Sequence, residues 1–218
     1  MSKPPRIIQP NPLGLAVMAV LFERPSHPYD IHRTLRERGK DQVVDFKPAA
    51  VYRMVDRLVA AGLVEEASTG REGKRPERTV YRLTEEGGGV VQEWAQEMLA
   101  RPSNDYPTFA AAISFLPIVL PDAARAVLEM RATLLDAEVA RLRSLLESAR
   151  RSAFPRLFML EDELRLAAME AESQWVKGLV EELAVGRLTW DQESLAELGR
   201  QSTLQPGIGD VWRSARMA

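Results

Sequence analysis

The stretch from Lys47 to Leu83 leaves this chain few ways to fold. Its first part, KPAAVYRMVDRLVAAGLVEEAS, carries Val51, Met54, Val55 and Leu58 at i, i+3, i+4 and i+7, the single apolar stripe of an α-helix. At about 100° per residue the opposite face holds Ala49, Tyr52, Arg53 and Asp56. Gly62 predicts the stop of that helix, and Leu63-Val64 and Val80-Tyr81-Arg82-Leu83 supply short strand signals. The connecting segment TGREGKRPER is too polar, and too punctuated by Gly and Pro, to be core. It holds Arg71, Lys74, Arg75 and Arg78. Helix, tight turn, strand, basic loop and strand is the order of a winged helix. A helix pinned by its stripe, with small, aromatic and basic residues outward at its N-terminal end, can enter a major groove. The chain is therefore predicted to bind double-stranded DNA.

Composition sharpens this reading through its asymmetry. The net charge of −2 argues against a uniformly basic nucleic-acid coat. Residues 1–84, however, hold 15 Lys+Arg against 10 Asp+Glu, while residues 85–218 hold 14 against 21. A front half at +5 and a rear half at −7 suit a DNA reader joined to a module with another task. There is no cysteine, which removes disulfides, thiolate metal sites and thiol nucleophiles. No apolar run approaches the roughly 18 residues of a membrane span, and the N-terminus lacks the apolar core of a signal peptide. A cytoplasmic protein without a membrane partner is expected.

Taken in order, residues 1–12 read as a Pro-rich arm and Leu13 to Phe22 as a compact apolar helix. A second helix starts at Pro28, capped by His27 or Ser26, and ends at Gly39. The helix carrying the stripe follows, with Pro48 in its first turn, and then the two strands of the wing. Thr84 opens a further helix containing Val90, Val91, Trp94, Met98 and Leu99. Its first turn is expected to be weak, because each of Gly87, Gly88 and Gly89 costs about 1 kcal/mol relative to alanine. Arg101-Pro-Ser-Asn-Asp is the clearest linker. The domains expected are a winged helix-turn-helix over 13–101 and a helical domain over 102–190, with a last short helix and tail over 191–218.

The second half reads as helices throughout. Phe109 to Leu116 is short; Asp122 to about Arg150 is long, with Leu128, Ala132, Leu135, Val139, Leu142, Leu146 and Ala149 at alternating steps of four and three. From Arg156 to about Val185, Leu160, Leu164, Ala168, Ala171, Trp175, Leu179 and Leu183 are placed on one side. Such a seam cannot stay bare, but periodicity alone does not say whether the partner is the same chain or a second copy.

The phrases HPYDIHRTLRERGKD, VYRMVDRLVAAGLVE and REGKRPERTVYRLTEEG resemble the PadR family of bacterial transcriptional regulators. The resemblance runs on through NDYPTFAAAISFLPIVLPD to ESQWVKGLVEELAVGRLTW, about residues 13–190. It implies a mainly α fold with an N-terminal winged helix-turn-helix, a two-stranded β-wing and a C-terminal antiparallel, coiled-coil-like dimerisation domain. It also implies a homodimeric repressor of nearby genes, released by a small-molecule effector. On that reading Leu128, Leu135, Val139, Leu142, Leu146, Leu164, Trp175 and Leu179 make the dimer. One departure stands out. Where the family carries a small polar pair ahead of the tyrosine, this chain has Ala49 and Ala50, so hydroxyl contacts are lost and a different operator is expected.

The DNA contacts expected are Lys47, Ala49, Tyr52, Arg53, Arg71, Lys74, Arg75 and Arg78. Lys47 and Arg53 could instead merely solvate an exposed face, and Tyr52, about 100° from the stripe, could pack beneath the helix. The wing basics suit phosphates better than bases, because a Gly-rich loop holds no fixed geometry. Arg36 and Arg38 are expected to pair with Glu37 and Asp41. Trp94 and Trp175 read as core or interface anchors. His27 and His32, five apart, do not share a helical face as metal ligands. No Ser/His/Asp set, phosphate loop or paired carboxylates stand out, so neither catalytic residues nor a cofactor is expected. Two rival readings remain: a small-molecule sensor with weak DNA binding, and a winged-helix protein-interaction module. The second would need neither the +5 front half nor a basic wing.

Overall fold

The computed structural model of the chain describes residues 8–70, 78–102 and 108–191. The chain divides into two compact units, Met1–Asp105 and Tyr106–Ala218. The described residues are mainly α-helical, with one two-stranded antiparallel sheet, as the sequence implies.

In the first unit, α1 spans Pro12–Glu23 and α2 spans Pro28–Glu37. Both begin with proline, whose missing N–H would have had no partner there. Asn11 caps α1 by accepting from the Gly14 N–H at 2.8 Å, and His27 Nδ1 caps α2 by accepting from the Tyr29 N–H at 3.1 Å. Helix α3 spans Pro48–Ala60 and follows Lys47, which supplies no side-chain cap. Its stripe of Val51, Met54, Val55 and Leu58 is buried against Val17, Met18, Val20 and Leu21 of α1 and Ile31 and Leu35 of α2. Full burial of such side chains contributes about 1.5–3 kcal/mol each, so the outward face of α3 is dictated by what the inward face buries.

The end of α3 sets the wing. Gly62 takes φ +78°, a left-handed conformation that glycine adopts without strain. The Gly62 N–H then reaches the Val59 carbonyl at 2.9 Å and the Leu63 N–H reaches the Leu58 carbonyl at 3.0 Å, the double closure of a Schellman cap. Strands β1 (Val64–Gly70) and β2 (Arg78–Leu83) follow, pairing Val64 with Leu83 and Glu65 with Arg82. A register shift between Glu66 and Ser68 marks a bulge at Ala67, which increases the local twist. The α1–α2 connection adds a third edge: Ser26 and Tyr81 exchange N–H···O bonds of 2.9 and 3.0 Å.

Helix α4, Glu85–Ala100, starts differently from expectation. Thr84 Oγ1 accepts from the Gly87 N–H at 3.0 Å and donates to the Gly62 carbonyl at 2.8 Å, while its own N–H reaches the Leu63 carbonyl. A Cβ on Gly87 would lie 1.9 Å from the Leu63 oxygen. Gly87 therefore lets α4 start against the end of α3; the turn is tied down, with its Thr84 cap satisfied, and not weak. Further along, Val91 and Trp94 enter the core.

The second unit holds α5 (Thr108–Ser114), α6 (Pro121–Arg151) and α7 (Leu160–Ala184), with 3-10 turns at Leu116–Ile118 and Arg156–Phe158. Helices α6 and α7 form an antiparallel hairpin. The α6 seam is consumed inside it: Leu128 and Ala132 pack with Val176 and Leu183, and Leu142 and Leu146 pack with Met159. Val139 is buried, and Leu135 and Leu179 are half-buried in the same layer. The expectation for α7 needs correction. Its inward side is Leu166, Met169, Ser173, Val176, Val180 and Leu183, while Leu164 is 72% exposed and Trp175 51%. Apolar residues occur on more than one side of α7, so periodicity could not select the face. Paired charges flank the seam on both sides: Arg131–Glu172 and Arg165–Glu138 on one, Asp136–Lys177, Arg143–Glu170 and Arg150–Glu163 on the other. No helix among the described residues is long and apolar enough to cross a membrane.

Candidate nucleic-acid interface

Because α3 is anchored by its stripe, its other face is presented as a fixed surface. Lys47, Ala49, Tyr52 and Arg53 all lie on the exposed side. Tyr52 does not pack beneath the helix; it is 42% exposed and meets the His27 ring edge-on, centroids 6.0 Å apart. That contact joins the start of α2 to the outer face of α3. Lys47 and Arg53 form no ion pair among the described residues, which leaves both cations available to an anionic partner. Arg57, one turn beyond Arg53, is exposed on the same helix and was not singled out from the sequence.

The wing is only partly in view. Arg71, Lys74 and Arg75 lie outside the described residues, and of Arg78 only the backbone, the first residue of β2, is described. At the root, Arg82 is taken by Glu65 at 2.8 Å, which keeps this arginine on the strand pair. Burial, with the carboxylates of Glu66 and Asp56 nearby, pushes the Tyr81 phenol above its ordinary range, so it stays protonated as a neutral element of the root.

Charges on α2 are arranged otherwise than expected. Arg38 grips Glu23 of α1 with two bonds of 2.6 and 2.7 Å, and not Asp41 or Glu37. This bidentate contact holds the Glu23 carboxyl below its ordinary value and raises Arg38, so the pair ties α1 to α2. Arg33 bonds Asp30 at 3.0 Å and lies 3.7 Å from Glu37. Arg36 makes no ion pair among the described residues. His32 stacks edge-on to Phe46 at 5.5 Å, a packing role. Among the described residues no three His, Asp or Glu side chains gather as a metal site.

Within the hairpin, Arg131 sits 3.7 Å over the Phe109 ring while bonded to Glu172, and Phe109 meets Trp175 edge-on at 6.1 Å. Trp175 is thus half in a local cluster and half exposed. A second outward stripe runs along α6 through Val127, Met130, Leu134 and Leu145. Arranged about 100° apart per residue, these four share one side of the helix, away from the seam.

No curated protein matches the chain. Among solved structures, the Bacillus subtilis PadR bound to operator DNA has the same fold, with TM-score 0.64 and 19% identity, over 79% of this chain and 99% of that one. The same regulator in complex with p-coumaric acid gives TM-score 0.62 and 17% identity, over 79% and 98%. The Vibrio cholerae virulence activator AphA gives TM-score 0.59 and 20% identity, over 79% and 98%. Residues 17–93, from α1 into α4, match the model of the transcriptional regulator PadR-like family. The chain thus carries a PadR-like domain over residues 17–93, the residues that build its winged helix.

Proposed function

We propose that this regulator is a cytoplasmic, homodimeric, sequence-specific DNA-binding repressor released by a small-molecule effector. The observation that carries the DNA reading is α3 itself: four buried residues fix its orientation, and Lys47, Ala49, Tyr52 and Arg53 face outward together. Each α3 would enter a major groove, the two half-sites roughly 34 Å apart. Lys47, Tyr52 and the wing residues Arg71, Lys74, Arg75 and Arg78 set the register on phosphates, while Arg53 reads a base edge. Ala49 removes a hydroxyl at the groove floor and leaves a methyl, which favours apolar contact with thymine. The relatives solved with operator DNA and with p-coumaric acid support a DNA partner and a small-molecule effector.

The dimer reading takes its contact face from what the hairpin leaves bare. Leu128, Leu135, Val139, Leu142 and Leu146 are occupied within the chain. Leu164 and Trp175 on α7, joined by Val127, Met130, Leu134 and Leu145 on α6, remain as apolar surface of the kind a second copy covers. Accordingly 13–101 is the DNA-binding domain and 102–190 the dimerisation domain.

The test is a titration of the purified protein against the DNA upstream of its own gene, with shuffled DNA of equal length as control. Tighter binding to the native fragment by about 10³-fold or more is expected of an operator reader. Equal, strongly salt-dependent binding to both would reduce the function to phosphate contact.

A further inference from the structure

A cleft of about 350 Å³ lies beside the recognition helix, lined by Arg24, Ser26, His27, Asp30, Arg33 and Val80. It is built where three elements meet: the α1–α2 connection, the first two turns of α2, and β2 at the wing root. Ser26 is fixed there by its two backbone bonds to Tyr81, and His27 by its cap bond and its contact with Tyr52. Two of the wall residues are thus tied to their neighbours, and the cleft sits one ring contact from the outer face of α3.

Its charge is what distinguishes it from an ordinary solvated surface. The amides of Tyr29, Asp30 and Ile31 are already taken by His27, so the helix end offers no free donors. Two guanidinium groups, Arg24 and Arg33, line it, and Arg33 is held by Asp30 at 3.0 Å and lies 3.7 Å from Glu37. Arg24 makes no ion pair among the described residues, and is the cation here that one singly charged phosphodiester would pair.

We infer that the cleft seats a single DNA backbone phosphate, with Arg24 as the primary donor and Arg33 as the second. The inference rests on the DNA-binding reading above and adds residues that neither the recognition helix nor the wing contains. A helix lying in a major groove is flanked by phosphates on both walls, and the His27–Tyr52 contact sets this cleft beside α3 where such a wall runs. The contact positions the protein and does not read sequence.

The experiment measures binding to the upstream fragment and to shuffled DNA at several salt concentrations for the unsubstituted protein, Arg24→Ala, Arg33→Ala and the double variant. Each phosphate neutralised contributes about 0.9 to the slope of log Kobs against log salt. Either single substitution is expected to lower the slope by about 0.9, equally on both DNAs. The double variant should lose the same amount and not twice it, because one phosphate serves both arginines. An unchanged slope in Arg24→Ala, with the unsubstituted protein binding normally, overturns the inference alone. Failure of the unsubstituted protein to bind either fragment would take down the DNA reading and this inference with it. A separate arm adds inorganic phosphate to a thermal melt. Stabilisation that Arg24→Ala abolishes, without any effect of that substitution on the DNA slope, would assign the cleft to free phosphate and refute a DNA contact.

Discussion

Gly87→Ala is the sharpest test of how α3 is held. The added Cβ would lie 1.9 Å from the Leu63 carbonyl oxygen and 2.9 Å from its carbon, so a backbone and not a flexible side chain must move. That carbonyl accepts the Thr84 N–H at 3.1 Å, and its neighbour Gly62 closes α3. Overpacking typically costs about 1–3 kcal/mol, and a backbone obstacle puts this site at the upper end. Alanine returns about 1 kcal/mol of helix propensity, leaving a net loss of about 2 kcal/mol. For a unit of this size the melting temperature should fall by about 8–16 °C. Gly88 and Gly89 are internal controls in the same helical turn. A Cβ on either meets nothing within 4 Å, so Gly88→Ala and Gly89→Ala should each stabilise by up to about 1 kcal/mol. Thermal and urea melts followed by circular dichroism separate the three. If Gly87→Ala melts at or above the parent temperature, the proposed packing of α4 on the end of α3 is wrong.

Other outcomes follow from the same structure. Leu134→Glu and Leu164→Glu place charges on apolar side chains 65% and 72% exposed, and sedimentation should show monomers where the parent sediments as a dimer. Retained dimers in both would exclude this face. Arg53→Ala should change sequence preference by about 1–3 kcal/mol at one position of the operator, whereas a uniform loss across sequences would make it a phosphate contact. The hairpin should lose stability in acid. Hydrogen bonds from Lys177 and Ser173 hold Asp136 below 3.8, and those from Arg156 and Arg150 hold Glu163 below 4.5. A carboxylate lowered on folding contributes stability that is fully present above its unfolded pKa and is lost as pH falls through the folded one. The loss therefore falls below about pH 4.5, and Asp136→Asn should flatten that part of the melting-temperature profile. An identical profile in the variant would remove Asp136 from the effect.

Much of the first unit was legible in the sequence because its cues are local. The i, i+3, i+4, i+7 stripe of α3, Gly62 at its end and the paired apolar segments of the wing each act within a few residues, and the folded chain uses each as read. What was not legible depends on contacts distant in sequence. Gly87 looked like a weakness because helix propensity counts only the chain around it, whereas its reason is an oxygen on Leu63. Arg38 chose Glu23, fifteen residues away, over nearer carboxylates because α1 and α2 come together there. Arg24 lies in a connection without periodicity and gains meaning only when β2 folds beside it. On α7 the pattern offered more than one apolar side, and the seam of α6, with its flanking charges, made the selection.

Those flanking charges also decide where the two long helices stop sliding. Moving α7 by one heptad keeps apolar residues on the seam, so oil alone tolerates the slip. Charge does not. In one direction Arg131 would come to face Arg165, and Asp136 would face Glu170; in the other, Glu138 would face Glu172 and Arg143 would face Lys177. Each exposed pair is worth only about 0.2–1 kcal/mol, yet attraction turns to repulsion at two rungs at once, against one rung that stays attractive, Arg143 with Glu163 or Arg150 with Glu170. The hairpin behaves as a ruler whose graduations are ionic, setting the distance between its tip and its base from one molecule to the next.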